Sequence, residues 1–199
     1  MMEVCIASQN RHKVREFEEM LHGQLLVRSL PDGLPEAPED GTTFAENALQ
    51  KARFYAALVQ MPVLADDSGL CVASLHGEPG VLSARYAGVH GDDEANNAKL
   101  LRRLAEHAED RSAEFVCALA LVSAAGQTLC SAIGTMSGEI ALEPRGAHGF
   151  GYDPLFILPH LGRTFAELSP PEKQAHSHRK AALDALLAKL PVLDWGDME

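Results

Sequence analysis

The sequence predicts an α/β protein built on a mixed β-sheet. Two observations carry this. Short apolar runs alternate with segments of helical periodicity, the pattern of strands interleaved with helices. Two strand-like runs at residues 114–123 and 127–136 meet near Ala125-Gly126 as a hairpin, so the sheet is not wholly parallel. At 199 residues and 46% hydrophobic, the chain suffices for one α/β domain, or two small lobes sharing a sheet.

Residues 4–7 (Val-Cys-Ile-Ala) read as a buried strand. A helix follows, capped by Asn10, with Val14, Phe17, Met20 and Leu21 on one face. Residues 25–30 read as a second strand, and 31–41 as a loop rich in proline, glycine and acids. Thr43 and Glu46 form a capping-box pattern opening a helix to about Gln60, whose stripe is Phe44, Ala48, Ala52, Ala56 and Val59. A short strand at 63–65 runs into Asp66-Asp67-Ser68-Gly69, where Gly69 suggests a turn, and residues 70–75 read as another strand. Gly77 to Gly80 is a turn, and residues 92–107 an amphipathic helix with Leu100, Leu101 and Leu104 inward. After the hairpin come a glycine-rich loop at 146–152 and a strand at 155–158. Ser169-Pro170-Pro171-Glu172 marks a helix start. That helix breaks near His176 and continues through Leu183, Leu186, Leu187 and Leu190, before an acidic tail frayed at 194–199.

The 17 Lys and Arg face 28 Asp and Glu, a net charge of -11. Such a chain repels nucleic acid and anionic membranes, and a small anionic ligand requires a local cationic cluster or a metal. Cys5, Cys71, Cys117 and Cys130 form no C-x-x-C pair and lie in apolar runs, which suggests buried thiols in a reducing compartment. No apolar run reaches the roughly 18 residues of a membrane span, and the N-terminus does not resemble a signal peptide. These features suggest a cytoplasmic protein.

Four segments carry candidate chemistry. Ser8-Gln9-Asn10-Arg11-His12-Lys13 joins a strand to a helix N-terminus, where free backbone N–H groups suit a phosphate; a merely capped helix is the alternative. The adjacent carboxylates Asp66 and Asp67 can bind Mg²⁺ or activate water, or can simply form a polar turn. In Gly149-Phe150-Gly151-Tyr152-Asp153-Pro154, glycines allow backbone close to a flat ligand, and Phe150 or Tyr152 can stack on a base; a tight turn is the alternative. Lys173 with His176-Ser177-His178-Arg179 is a cationic group that can hold phosphate or a purine carbonyl, or a solvated helix face. Lys13, Lys51, Lys173 and Arg179 together can supply the required positive charge.

These segments resemble those of the inosine/xanthosine triphosphate pyrophosphatases, the Ham-type non-canonical purine nucleoside triphosphate pyrophosphatases. The likeness spans about residues 3 to 190. It rests on Ser8 to Lys13, Thr43 to Ala48 with Lys51, Ala65 to Leu70, Pro79 to Gly88, Gly149 to Pro154 and Ser177 to Arg179. It implies one domain, residues 1–199, with an elongated mixed sheet and flanking helices forming two lobes around a central substrate cleft. It further implies a homodimer and Mg²⁺-dependent cleavage of a purine nucleoside triphosphate to monophosphate and pyrophosphate. Carried over by position, Asp67 resembles the general base and a metal ligand, supported by Asp66. Ser8, Gln9, Asn10, Arg11, His12, Lys13, Lys51 and Ser68 would hold the triphosphate. Phe150 would stack on the base, with Gly151, Tyr152, Asp153, Lys173, His178 and Arg179 shaping its pocket. Two departures stand out. Gln9 replaces a glycine common in the family, and Pro38 stands where an acidic metal ligand is usual, so that Glu39 or Asp40 would take that part, or Mg²⁺ would rest on Asp67 and the phosphates. The rival readings are a Maf-like nucleotide pyrophosphatase and a non-catalytic nucleotide-binding regulatory module.

Overall fold

The computed structural model describes residues 2–8, 10–105 and 110–190. Gln9 and the acidic tail at 194–199 lie outside the described residues, as do the side chains of Arg11 and His12. The elements run β1 Glu3–Ala7, α1 Arg11–Leu21, β2 Leu26–Ser29, α2 Phe44–Val59, β3 Val63–Val72, α3 Asp93–Ala105, β4 Ser112–Val122, β5 Thr128–Ile140, β6 Phe156–Leu158, β7 Arg163–Thr164, α4 Pro170–Ala175 and α5 His178–Leu187. Short 3₁₀ turns at Ala73–Leu75, Gly80–Arg85 and Phe165–Glu167 were not evident in the sequence pattern.

The α/β class is borne out. Seven strands form one sheet in the order β2-β1-β3-β4-β5-β6-β7. β1 pairs in parallel with β2 and β3, while β6 pairs antiparallel with β5 and β7, so the sheet is mixed. The inner strands β1, β3 and β4 are almost continuously buried, as strands covered on both faces must be.

One expectation is corrected. Asp66-Asp67-Ser68-Gly69 is no turn between two strands but the interior of the single strand β3. Gly69 takes no positive φ, and the chain leaves the strand only after Val72, entering a 3₁₀ turn where a strand to Leu75 was expected. Local residue type suggested a break, but the buried side chains on either flank keep the segment extended.

The chain forms two compact units. The first contains Met1–Asp67, Ala118–Ile133 and Ala182–Glu199. Its core sets Ala48, Ala52 and Ala56 of α2 among Cys5, Val63, Ala65, Ala118 and Ala120. The alanine stripe lets α2 lie close to the strands, so its polar side chains reach the middle of β3. The second unit contains Ser68–Cys117 and Gly134–Ala181. Its core is aromatic: Phe115 lies 4.3 Å from Phe156 and 5.6 Å from Phe165, between ring centroids. Each such fully buried ring contributes roughly 1.5–3 kcal/mol.

Local capping sets where the helices begin. Thr43 and Glu46 exchange both capping-box bonds at α2, and Ser169 and Glu172 do so at α4. The expected break near His176 separates α4 from α5, where the Arg179 amide donates to Ser177 Oγ at 3.1 Å. None of the four cysteines is in a disulfide; three are buried and Cys71 is half-buried.

Glu172 yields a stability prediction. Arg163 donates to its Oε1 at 2.7 Å, and with the Ser169 amide and hydroxyl it lowers the pKa from 4.5 to about 2. A depressed folded-state pKa stabilises above the unfolded value and is lost as pH falls through the folded one. Glu172→Gln, which keeps a capping side chain, should therefore melt below the parent at pH 6, and the gap should close between pH 4.5 and 2. A gap that persists at pH 2 would mean the charge is not its source.

Candidate active site

Within the first unit, the parallel register pairs Ala7 with Ala65, which sets the end of β1 beside the Asp66 position of β3. The chain then turns into α1: the Asn10 amide donates to Ser8 Oγ at 3.2 Å, and Asn10 Oδ1 accepts the Lys13 amide at 3.3 Å. Asn10 is thus the cap read from the sequence. Lys13, in the first turn of α1, places Nζ 2.9 Å from Asp66 Oδ2.

Helix α2 supplies the opposing groups. Lys51 Nζ donates to the Asp66 carbonyl at 3.1 Å and pairs with Glu39. Asn47, one turn earlier on the same face, donates to Asp67 Oδ2 at 3.0 Å. Its own Oδ1 accepts the Gly41 amide at 2.8 Å, which fixes which way the amide points. Gly41 has to be glycine here, because a Cβ would sit 2.6 Å from Asn47 Oδ1.

Two ammonium groups therefore stand among three carboxylates. Asp66 is 2% and Asp67 7% exposed. Burial raises the pKa of Asp67, and Lys51, Asn47 and Lys13 offset part of that rise. Burial also opposes the charge of Lys51, but Asp66, Glu39 and Asp67 outweigh it and the net pKa is raised, so Lys51 stays an ammonium. A buried carboxylate with a raised pKa is a stronger base than a solvated one.

After Pro38, Glu39 pairs with Lys51, whereas Asp40 accepts from Gln50 at 2.6 Å. Among the described residues, no group of three or more His, Cys, Asp or Glu forms a ready cation cage. A cavity of about 700 Å³ lined by Ser8, Val14, Arg15, Glu18 and residues 29–34 borders none of Lys13, Lys51, Asp66 or Asp67.

The second unit holds the other candidates. Phe150 sits half-buried beneath two cations, Lys173 Nζ at 4.8 Å and the Arg179 guanidinium at 5.3 Å from its ring centroid. Asp153 accepts from the Phe150 amide at 2.9 Å and pairs with Lys173 at 2.7 Å. Burial raises the pKa of Asp153, with Lys173 pulling it back. Arg179 is 4% exposed and donates to Ser68 Oγ at 3.1 Å.

Tyr152 is buried in the aromatic core and donates to the Ser83 carbonyl at 2.9 Å, and His178 stacks on Phe115 at 4.9 Å. Gly151, between Phe150 and Tyr152, has a positive φ of 61°.

Asn47 and Gly41 were given no role from sequence. The i,i+4 spacing of Asn47 and Lys51 on a capped helix was the available signal.

Known proteins supply an independent comparison. The Ham1 family profile matches residues 4–189. A dITP/XTP pyrophosphatase of Exiguobacterium sibiricum is 50% identical, covering 95% of this chain and 97% of its own. One from Ralstonia nicotianae is 48% identical, covering 98% and 99%. A HAM1 protein from Coxiella burnetii superposes with a TM-score of 0.86 at 45% identity, covering 96% of this chain and 100% of that one. The Staphylococcus aureus Ham1 protein gives 0.85 at 42%, covering 96% and 98%. The profile match takes in every segment that builds both groups of residues, from Ser8 to Arg179, and the chain belongs to the Ham1 family.

Proposed function

We propose that this protein hydrolyses the triphosphates of inosine, deoxyinosine and xanthosine to the monophosphate and pyrophosphate, clearing deaminated purines from the nucleotide pool. The observation that carries the reading is the buried Asp67 carboxylate, held by Asn47 beside Lys13 and Lys51. The similar dITP/XTP pyrophosphatases share about half of the sequence over nearly its whole length.

Asp67 takes the proton of a water whose oxygen bonds to the α-phosphorus. The bond from that phosphorus to the bridging oxygen breaks, and pyrophosphate leaves with the electron pair. Lys13 and Lys51 offset the charge of the polyanion, and Asp66 holds Lys13 in place. The N–H groups at the start of α1, with Ser8 and Asn10, orient the phosphates. Gln9, Arg11, His12 and Ser68 belong to this same proposal.

The carboxylate set fits Mg²⁺, which takes hard oxygen ligands and is held by one or two carboxylates together with substrate phosphates. Asp67 and Glu39 would hold it, and it would neutralise phosphate charge. The absence of a three-carboxylate cage among the described residues suits an ion bound jointly with its substrate.

For the base, Phe150 offers a stacking face, and Arg179, with Lys173 nearby, offers donors to a 6-oxo group. Adenine carries an amino group there and would leave those donors unpaired. A purine nucleoside triphosphate carries both a polyphosphate for the first group and a flat base for the second. The same reading has the protein in the cytoplasm as a homodimer, in keeping with cysteines that form no disulfide.

The test is product analysis with inosine, deoxyinosine and xanthosine triphosphates, and ATP and GTP alongside, in Mg²⁺. Monophosphate and pyrophosphate with strong preference for the deaminated bases are expected; orthophosphate, or equal turnover of ATP, would overturn the reading. Arg179→Ala should raise the KM for inosine triphosphate about tenfold or more, the loss of a charged hydrogen bond. An unaltered KM would remove Arg179 from the base site.

A further inference from the structure

Helix α3 carries none of the residues assigned above, yet it grips the loop that presents Phe150. Gly151 N–H donates to Asp93 Oδ2 at 2.6 Å, and Gly151 C=O accepts from Asn97 Nδ2 at 2.9 Å. Asp93 and Asn97 are one turn apart on the same helix face, so both polar groups of one residue are held from one side.

The bonds are not by-products of capping. The Ala95 amide is capped by Asp92 Oδ1 at 3.0 Å, which leaves the Asp93 carboxylate for the loop. Asn97 is 9% exposed, and burying an amide is costly unless it is hydrogen-bonded. On the other side of Phe150, its own amide donates to Asp153 Oδ2. The peptides before and after Phe150 are thus both fixed to carboxylates. A Cβ at Gly151 would meet nothing within 4 Å, so this stretch is held by hydrogen bonds, with no packing over that position.

We infer that Asp93 and Asn97 are positioning residues for base binding, setting the angle of the Phe150 ring for a flat purine. The inference rests on Phe150 being the stacking face. An aromatic platform binds well only when it is preorganised, since ordering it on binding subtracts from affinity. Base stacking is retained from substrate to transition state, so loosening the platform acts on KM and leaves kcat.

Steady-state kinetics with inosine triphosphate and Mg²⁺, corrected for active fraction, test this in Asp93→Ala, Asn97→Ala, Asp93→Asn and Phe150→Ala, with thermal melting of each. Asp93→Ala and Asn97→Ala should raise KM about tenfold with kcat held within about twofold. Asp93→Asn keeps a carbonyl oxygen for the Gly151 amide and should recover most of the affinity. If Phe150→Ala raises KM but the α3 variants change only the melting temperature, the inference fails and the platform stands. If Phe150→Ala leaves KM unchanged, the platform itself is wrong. Should Asn97→Ala not fold, the contrast between Asp93→Ala and Asp93→Asn decides.

Discussion

Asp67→Asn should lower kcat by about 10²- to 10⁴-fold, the range for removing a positioned general base. The amide still accepts from Asn47 but no longer takes a proton from water. Stability should not fall with activity. Burial raises the folded-state pKa of Asp67, so its ionisation opposes folding, and that penalty is fully present once the pH exceeds the folded value. At pH 8 the amide removes the penalty, and the variant should melt at or above the parent temperature. Retained turnover in a folded Asp67→Asn protein would end the assignment of this carboxylate as the base. Lost turnover with a much lower melting temperature would mean that the carboxylate holds the structure together.

Gly149→Ala should disrupt the loop that presents Phe150 through a single methyl group. Gly149 has a φ of 82°, where a Cβ costs about 1–2 kcal/mol. That Cβ would also lie 2.0 Å from Asp153 Oδ2, 2.9 Å from its Cγ and 3.1 Å from its Cβ. Asp153 is not free to swing away, because the same oxygen holds the Phe150 amide and Lys173. The methyl group must break that arrangement or bend the loop. A loss of about 3 kcal/mol is expected, lowering the melting temperature by about 6–12 °C for a chain of this size. KM for inosine triphosphate should rise as well, because Lys173 loses its anchor over Phe150. A melting temperature within a degree of the parent would show that the loop takes up the methyl group without cost.

How far the sequence foretold this molecule depends on how local each cause is. The caps at Asn10, Thr43 and Ser169 were legible because a cap is settled within four residues. The alanine stripe of α2 and the leucines of α3 were legible from periodicity. The continuity of β3 was not. Two aspartates, a serine and a glycine in a row carry the composition of a turn, and only neighbours remote in sequence hold them extended. For Asn47 only the i,i+4 spacing to Lys51 was legible; its partner Asp67 comes from β3, 20 residues on. The roles of Asp93 and Asn97 depend on Gly151, more than 50 residues away. Tyr152 and His178 were read as pocket residues, and their packing on Ser83 and Phe115 depends on a core that no short motif describes.

The unbroken course of β3 bears on what lineages of this gene can tolerate. Its side chains alternate between the two faces of the sheet, with a rise of about 3.3 Å per residue. One codon inserted between Asp66 and Asp67 would exchange faces for every residue on one side of the insertion. Either Lys13 or Asn47 would then confront the wrong partner, because Asp66 and Asp67 lie on opposite sides of the insertion. The same codon added at the exposed residues 88–91 would lengthen a surface turn. Length variation should therefore accumulate in such turns, while β3 accepts substitutions but neither gains nor losses.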